Sequence, residues 1–407
     1  MNDAPLTRPL EAFRVVEVAS WAYVPSAGAV LADWGADVIK IEPPEGDPVR
    51  GLTSGGVGRT GRIVPMWETF NRGKRSIALD LKHPTGREII HDLVRNADVF
   101  LTNLLPRTRD ALGIDAVTIR DVNPRIVYGC GTGQGTRGPD ADKGGYDSIT
   151  FWSRGGISAS LTPDDAEPIG IPSGAFGDSL SGMALAGGIS AALVRRGATG
   201  EGSLVDGSLL GTAMWSMQLA ITAAAASGRN EMPRMIRANA RNPLVNTYET
   251  VDGRWIALCM LQADKYWSVF CQTIGRSDLA ADARFTTQAA RDTHLAAAIA
   301  HLEQTFRSRR LAEWIPILHA QPGQWDIVKT LAEVLDDEQA RANGFHQWVD
   351  YGSDLRLPLV ANPVQFDGEP PILHPAPELG ANSEEVLLEL GWDWDRILDA
   401  KVAGIVL

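Results

Sequence analysis

RVVEVASWAYVPSAGAVLADWGADVIKI, residues 14–41, falls into three pieces. Arg14 to Ala19 is a β-rich run, Pro25 to Trp34 has helical spacing and is closed by Gly35, and Asp37 to Ile41 is a second β-rich run. Together they read as one βαβ unit. The pattern resumes with strands at Ser76 to Leu81, Val99 to Thr102 and Arg125 to Cys130, separated by a helix at Pro84 to Asn96 and a short one around Arg109 to Leu112. Such alternation predicts an α/β fold built on a parallel sheet covered on both faces. Ligands bind beyond the carboxyl ends of such strands, so Ala19 to Tyr23, Asn103 and Gly129 to Gly133 are expected near one another.

From about Ala223 the sequence turns Ala-rich and polar, and Asn246 to Met260 reads as a hairpin turning at Asp252-Gly253. Helices follow at Tyr266 to Ile274, His294 to Arg309 and Leu311 to His319. Gln347 to Phe366 reads as extended chain leading back to the first domain, and Ser383 to Leu390 and Asp395 to Ala400 read as helices. The expected organisation is a large domain over residues 1–222, a small domain over 223–345, and a return segment, 346–407, completing the large one.

The composition, 44% hydrophobic and 22% charged over 407 residues, permits a substantial core. A net charge of -12 argues against general binding to nucleic acid or to a membrane surface, because both are polyanions. Three cysteines without paired spacing suggest neither a disulfide framework nor a zinc site, and the scattered histidines suggest no metal. Met1 to Arg8 lacks the apolar core of a signal peptide and no apolar run reaches spanning length, so a soluble cytoplasmic protein is expected.

Three features bear on chemistry. Gly133-Gln134-Gly135-Thr136-Arg137-Gly138 fits GxGxxG after a strand, but Pro139 to Gly145 is a polar loop with no helical period to receive a pyrophosphate, so nicotinamide binding is not expected. Arg72, Lys74, Arg75 and Lys82, with Arg107 and Arg109 after Asn103, gather cations on an acidic chain. They serve either a salt-linked surface or a phosphorylated ligand. Gly177-Asp178 stands before a small-residue helix, Ser179 to Arg196, ended by Gly197. The glycine permits a sharp turn or the close approach of a ligand, and the aspartate is either a helix cap or a carboxylate aimed by the helix amides at chemistry.

Several runs resemble the class III CoA-transferases: Val15-Val16-Glu17-Val18, Leu31 to Glu42, Asn71 to Ser76, Leu79-Asp80-Leu81-Lys82, Asn123 to Ile126, Gly145-Tyr146-Asp147, Gly177-Asp178 and Leu379-Gly380. The resemblance covers nearly the whole chain. It implies a Rossmann-like large domain made from both chain ends, a smaller inserted α+β domain, and a homodimer whose chains interlock like rings. It implies coenzyme A, carried as an acyl-CoA substrate, and a carboxylic acid as the other substrate. By the resemblance Asp178 is the catalytic aspartate, and Leu79 to Lys82 and Asn103 to Leu105 contact CoA. That makes Leu79, Lys82, Asn103 and Leu104, with Arg75, Arg107 and Arg109, the candidate cofactor-binding residues. Tyr146, Gly177 and Gln134 are candidate contacts to substrate or to the CoA chain.

Transfer through an aspartyl-CoA thioester and mixed anhydrides suits a carboxylate, which is ordinarily ionised above pH ~4 and needs no activating base. The oxyanions would be met by the amides beginning at Asp178 or by the loop Gly129 to Gly135. The family's racemases pair the aspartate with a histidine where this chain has Tyr146, and a racemase glutamate aligns with Gln262. A phenol, ordinarily titrating near pH ~10, replaces imidazole poorly, which favours transfer over racemisation. A non-catalytic CoA-ester binder is the third reading. Ala257 to Ala263 lacks the glycine-rich loop of formyl-CoA transferases, and Ala111 and Pro43 stand where the family has arginines. Trp152, Met214 and Trp215 serve either an acyl pocket or the core.

Overall fold

Apolar runs that are buried on both faces pair side by side, and here they build one parallel sheet. The computed structural model describes residues 8–52, 63–233, 236–237, 240–352 and 354–407. β1 (Arg14–Val18), β2 (Asp37–Glu42), β3 (Arg75–Ala78), β4 (Val99–Thr102), β5 (Val127–Thr132) and β6 (Ser203–Ser208) form a six-stranded sheet in the order β3-β2-β1-β4-β5-β6, with every pairing parallel. The order reverses between β1 and β4, and such a switch point opens a crevice at the carboxyl edge. The edge strand β6 was not anticipated, because SLVDGS contains an aspartate and a glycine and is only half covered.

Alternate residues of the central strands enter opposite cores. Val16, Ile39, Ile77 and Phe100 pack with Val386, Leu387 and Ile397 of the helices Ser383–Glu389 and Trp394–Val402. Val15, Val38, Leu101 and Val127 pack under the helices Tyr23–Asp33 and Phe176–Thr199 through Val24, Leu31, Leu185 and Ile189. The carboxyl-terminal segment returns to the sheet edge, where Leu79 bridges Val406 and the Gly380 amide donates to Ser76 Oγ at 3.0 Å.

The helix Phe176–Thr199 begins earlier and ends later than its sequence suggested, running through Gly197 to stop at Gly200, whose φ is 76°. One helical glycine costs only about 1 kcal/mol, so a well-packed helix can run through it. At 24 residues it has the length and composition of a membrane span, contrary to the expectation that no apolar run reaches spanning length. Its buried Leu185, Ile189 and Leu193 face explains that apolarity. A Cβ on Gly182 would lie 2.6 Å from that of Ser26, so this glycine sets the approach of the two helices, whereas Gly187 faces open space.

Contacts divide the chain into two compact units, Met1–Met232 with Glu338–Leu407, and Pro233–Asp337. The helices Gln218–Ala226 and Glu338–Ala342 therefore belong to the first unit. The second unit carries an antiparallel sheet of Val245–Glu249, Trp255–Cys259 and Trp325–Ile327 over a core that includes Tyr248, Trp267, Phe306 and Trp314. Its first two strands are the expected hairpin, with Gly253 at φ 72° in the turn. Within this unit Gln262 is the residue at the start of the helix Ala263–Thr273.

Glu17 is a charge in the middle of a central strand, and its neighbours explain it. Its register partner Lys40 lies 3.2 Å away and Lys74 lies 2.8 Å away, and all three side chains are fully buried. Burial pushes Lys74 down to about 8, against the opposing pull of Glu17. Lys40 also reaches Asp47 at 3.1 Å, and a Cβ on Gly28 would lie 1.9 Å from Glu17 Oε2, so the helix Tyr23–Asp33 closes the cluster from above. Neutralising the shared anion leaves Lys40 with Asp47 alone and takes from Lys74 its carboxylate partner, so Glu17→Gln should lower stability by about 3 kcal/mol or more. Urea denaturation should then give a clearly lower midpoint, and an unchanged midpoint would refute this role for Glu17.

Candidate active site

A cleft of about 360 Å³ opens at the carboxyl edge of the sheet, at the switch point between β1 and β4. Its lining includes Ser20, Trp21 and Tyr23 after β1, Asn103 and Leu104 after β4, Gly131, Thr132 and Gly133 at the end of β5, and Lys143, Tyr146 and Asp178. The three segments that the strand pattern brought together therefore do meet. Asn103 joins two of them, accepting from Ser20 N at 3.0 Å and donating to Ser20 O at 2.6 Å.

The loop after β1 is held from below by the buried charges. Lys40 Nζ donates to Ala19 O at 2.7 Å, and Asp47 Oδ1 accepts from the amides of Trp21 at 3.2 Å and Val49 at 3.0 Å. Trp21 has φ 69°, an uncommon conformation for a bulky residue and one costing roughly 1 kcal/mol or more. It aims the indole at Tyr146, whose ring meets it edge-on at 5.6 Å.

Asp178 lies in the first turn of the helix Phe176–Thr199, which starts from Ala175 at φ 62° with no side-chain hydrogen bond from that residue. The capping carboxylate is Asp147. Its Oδ1 accepts from Gly177 N at 3.1 Å, and the amides of Asp178 and Phe176 converge on the same group. Asp178 is therefore not the cap, and the Gly177 amide is already taken by Asp147. The reason for Gly177 also differs from a turn or a ligand contact: a Cβ there would lie 2.2 Å from the Phe151 ring and 2.7 Å from Asp147 Oδ1.

Asp178, half-buried and without the amides, is pushed up to about 7, first by burial and then by the Asp147 charge. Asp147 is pushed up to about 6 by burial, against the pull of the three amides. The expectation of a fully ionised Asp178 is thus corrected. Near neutral pH it stands between carboxylate and acid, as suits a group that reacts or exchanges a proton.

The cations divide sharply. Arg75 lies at the amino end of β3, opposite the cleft edge, and binds Asp37 at 2.6 Å, Glu389 at 2.6 Å and Glu385 at 3.1 Å. Arg72 binds Asp33 at 2.6 Å. Both hold the fold together, and Arg75 is withdrawn as a ligand contact. Leu79 is fully buried against the carboxyl-terminal segment, and Lys82 is exposed on the turn after it, outside the cleft lining. Arg109 Nη1 lies 3.2 Å from Cys130 Sγ, pointing inward, while Arg107 is exposed on the same helix, Pro106–Leu112. Gln134 is occupied at both ends, donating to Thr150 Oγ1 at 3.0 Å and accepting from Arg154 at 2.8 Å. Gln134 and Gly177 are absent from the lining, whereas Asn103, Leu104 and Tyr146 belong to it.

Lys143 and Tyr23 line the cleft without having been singled out from sequence. Lys143 lies within the polar loop Pro139 to Gly145, and Tyr23 stands at the end of a segment already expected on the ligand edge. Trp152 is buried, with Nε1 donating to Ile169 O at 2.7 Å, and Met214 and Trp215 are exposed; none of them lines the cleft. Among the described residues no cluster of His, Cys, Asp or Glu stands ready to hold a metal.

Residues 10–383 match the sequence pattern of CoA-transferase family III. The chain belongs to that family. Over 401 residues it is 35% identical to (R)-2-hydroxy-4-methylpentanoate CoA-transferase of Clostridioides difficile, covering 98% of this chain and 99% of the relative. It is 32% identical over 395 residues to the cinnamoyl-CoA:phenyllactate CoA-transferase of Clostridium sporogenes, covering 96% and 95%. The crystal structure of a CaiB/BaiF family protein from Brucella suis superposes with a TM-score of 0.82 at 30% identity, covering 95% of this chain and all of the other. CoA thioesters and carboxylates are the family's substrates.

The raised pKa of Asp178 has a consequence for stability. A carboxyl that ionises near pH ~4 unfolded and about 7 folded opposes folding once charged, so stability is fully present below the unfolded value and falls as pH rises through the folded one. Asp178→Asn should therefore leave stability unchanged near pH ~4 and raise it by about 1 kcal/mol or more near pH ~8. Thermal melts across that range test this, and a variant no more stable than the parent at the alkaline end would contradict it.

Proposed function

We propose that this CoA-transferase family III protein moves CoA from an acyl-CoA to a carboxylic acid with Asp178 as the covalent nucleophile. The observation that carries the reading is the Asp178 carboxyl, half-buried in the cleft and unoccupied by the helix amides. An Asp178 oxygen bonds to the thioester carbonyl carbon and the C–S bond breaks, leaving a mixed anhydride and CoA thiolate. The thiolate attacks the aspartyl carbonyl and releases the donor acid, forming the aspartyl-CoA thioester. The acceptor carboxylate attacks that thioester in turn, and CoA thiolate finally takes the acceptor's acyl group, restoring Asp178.

Lys143 and Arg107, exposed cations at or beside the cleft, are suited to the phosphates of CoA. Trp21, Leu104 and Tyr146 give the acyl end an apolar, aromatic wall. The relatives from Clostridioides difficile and Clostridium sporogenes are named for 2-hydroxy acids with a branched or an aromatic side chain. We take that class as the first acceptors to test. No histidine is found among the described residues lining the cleft, which disfavours a two-base racemase. The racemase reading draws support from Asp178 itself, because a pKa of about 7 also suits proton transfer.

Incubation of an acyl-CoA with a branched or aromatic 2-hydroxy acid should yield the new acyl-CoA. Borohydride or hydroxylamine should trap Asp178 during turnover, and Asp178→Ala should lose roughly a thousandfold or more in rate. Undiminished transfer by Asp178→Ala would sink the mechanism. α-Proton exchange from a 2-methylacyl-CoA in deuterated water, without CoA transfer, would establish the racemase instead.

Family membership supports the further proposal of an interlocked homodimer in which the second unit is an inserted domain. Exposed Leu180, Val194, Trp215 and Leu219 on helices of the first unit give the homodimer an apolar surface to cover. Light scattering should give twice the chain mass, and a monomer at assay concentration would refute it.

A further inference from the structure

Tyr23 is the first residue of the helix Tyr23–Asp33, and it is 95% buried, with a relative exposure of 5%, yet its hydroxyl has no hydrogen-bond partner. A buried hydroxyl left unpaired costs about 1–3 kcal/mol, so its presence in a cleft wall calls for a reason. The sheet is shaped to admit it. Gly131 of β5 and Gly207 of β6 are register partners; a Cβ at Gly207 would lie 2.3 Å from Tyr23 Oη, and one at Gly131 would meet Val24 Cγ2 at 2.3 Å and Tyr23 Cε1 at 2.9 Å.

The ring thus sits in a slot left by two paired glycines, and Tyr23 lines the same cleft as Asp178. Burial, then the neighbouring Cys130 and Asp178, push its ionisation upward, so it remains a neutral donor. Three other polar groups near the wall are engaged. Asn103 is bound at both ends to Ser20, Thr132 Oγ1 donates to Gly207 O at 3.2 Å, and the helix-mouth amides belong to Asp147. Thr108 and Lys143 are exposed to water, and Ser20 partly so.

We propose that the Tyr23 hydroxyl is an oxyanion donor for the acyl transfers at Asp178, a catalytic role that rests on Asp178 being the nucleophile. In each addition the nucleophile's electron pair bonds to the carbonyl carbon and the C=O pair moves to oxygen. That oxygen accepts the Tyr23 hydrogen bond while the proton stays on the phenol. The pair returns to re-form the carbonyl as the C–S or C–O bond to the leaving group breaks. A donor of this kind acts on the transition state more than on bound substrate.

Tyr23→Phe removes the hydroxyl and keeps the ring in its glycine slot. Steady-state transfer should show kcat reduced about 100-fold with KM for the acyl-CoA within about twofold, and single-turnover acylation of Asp178 should slow by a similar factor. The variant's melting temperature should equal or exceed the parent's, because the unpaired group is gone. An unchanged kcat, or a loss confined to KM, would overturn the proposal. Asp178→Ala separates the two claims: if it still transfers CoA, the nucleophile assignment fails regardless of Tyr23, whereas trapping at Asp178 with full activity in Tyr23→Phe removes the donor alone.

Discussion

The hydrogen bonding of Asp147 to the first turn of the helix Phe176–Thr199 governs the site. A helix start presents unpaired amides and a positive dipole, and whichever carboxylate takes them is stabilised as an anion and fixed in place. Here Asp147 takes them. Asp178, on the helix itself, is left to burial and to the repulsion of its neighbour, and both raise its pKa. Capping and chemistry are thereby divided between two aspartates. The same arrangement dictates Gly177, which must leave room for Asp147 and for Phe151 of the π-helical turn Asp147–Arg154. Short π-helical segments recur at functional sites because they redirect a few side chains at small cost to the fold.

The opposite wall depends on charges far less exposed than those of the cleft. Lys40 and Asp47 hold the backbone after β1, and Glu17 ties Lys40 to Lys74 across the sheet and its covering helix. Such clusters are poor sources of net stability, because desolvation offsets most of the attraction. Their effect here is positional. They keep Trp21 in a left-handed conformation that an isolated loop would abandon, and so keep its ring against Tyr146.

The parallel sheet and the meeting of three loops at its carboxyl edge were legible in sequence, because both follow from the spacing of apolar runs. Asp178 was legible as a residue, mainly through the family motifs. Its ionisation was not, since that depends on which aspartate wins the helix amides, a contest between residues 31 positions apart settled only by the fold. The two readings of the cations could not be separated in sequence for a related reason. Arg72, Lys74 and Arg75 sit together in sequence, but each meets an anion brought in from another element, Asp33, Glu17 and Asp37 respectively. β6 was hidden because its glycine and aspartate read as loop, and its Gly207 leaves room for the Tyr23 hydroxyl.

Several departures from the most stable local choice lie at or beside this cleft. Trp21 and Ala175 occupy left-handed conformations, the Tyr23 hydroxyl and one Asp147 oxygen are buried without partners, and the paired positions Gly131 and Gly207 forgo side chains that a strand would favour. Local inconsistency of this kind is expected where function constrains a fold. The glycine pair is the most informative member of the group, because neither residue carries chemistry. An alanine at Gly207 would strike the Tyr23 hydroxyl, and one at Gly131 would strike Val24 and the Tyr23 ring, so the placement of the phenol depends on neighbouring strands as well as on Tyr23 itself.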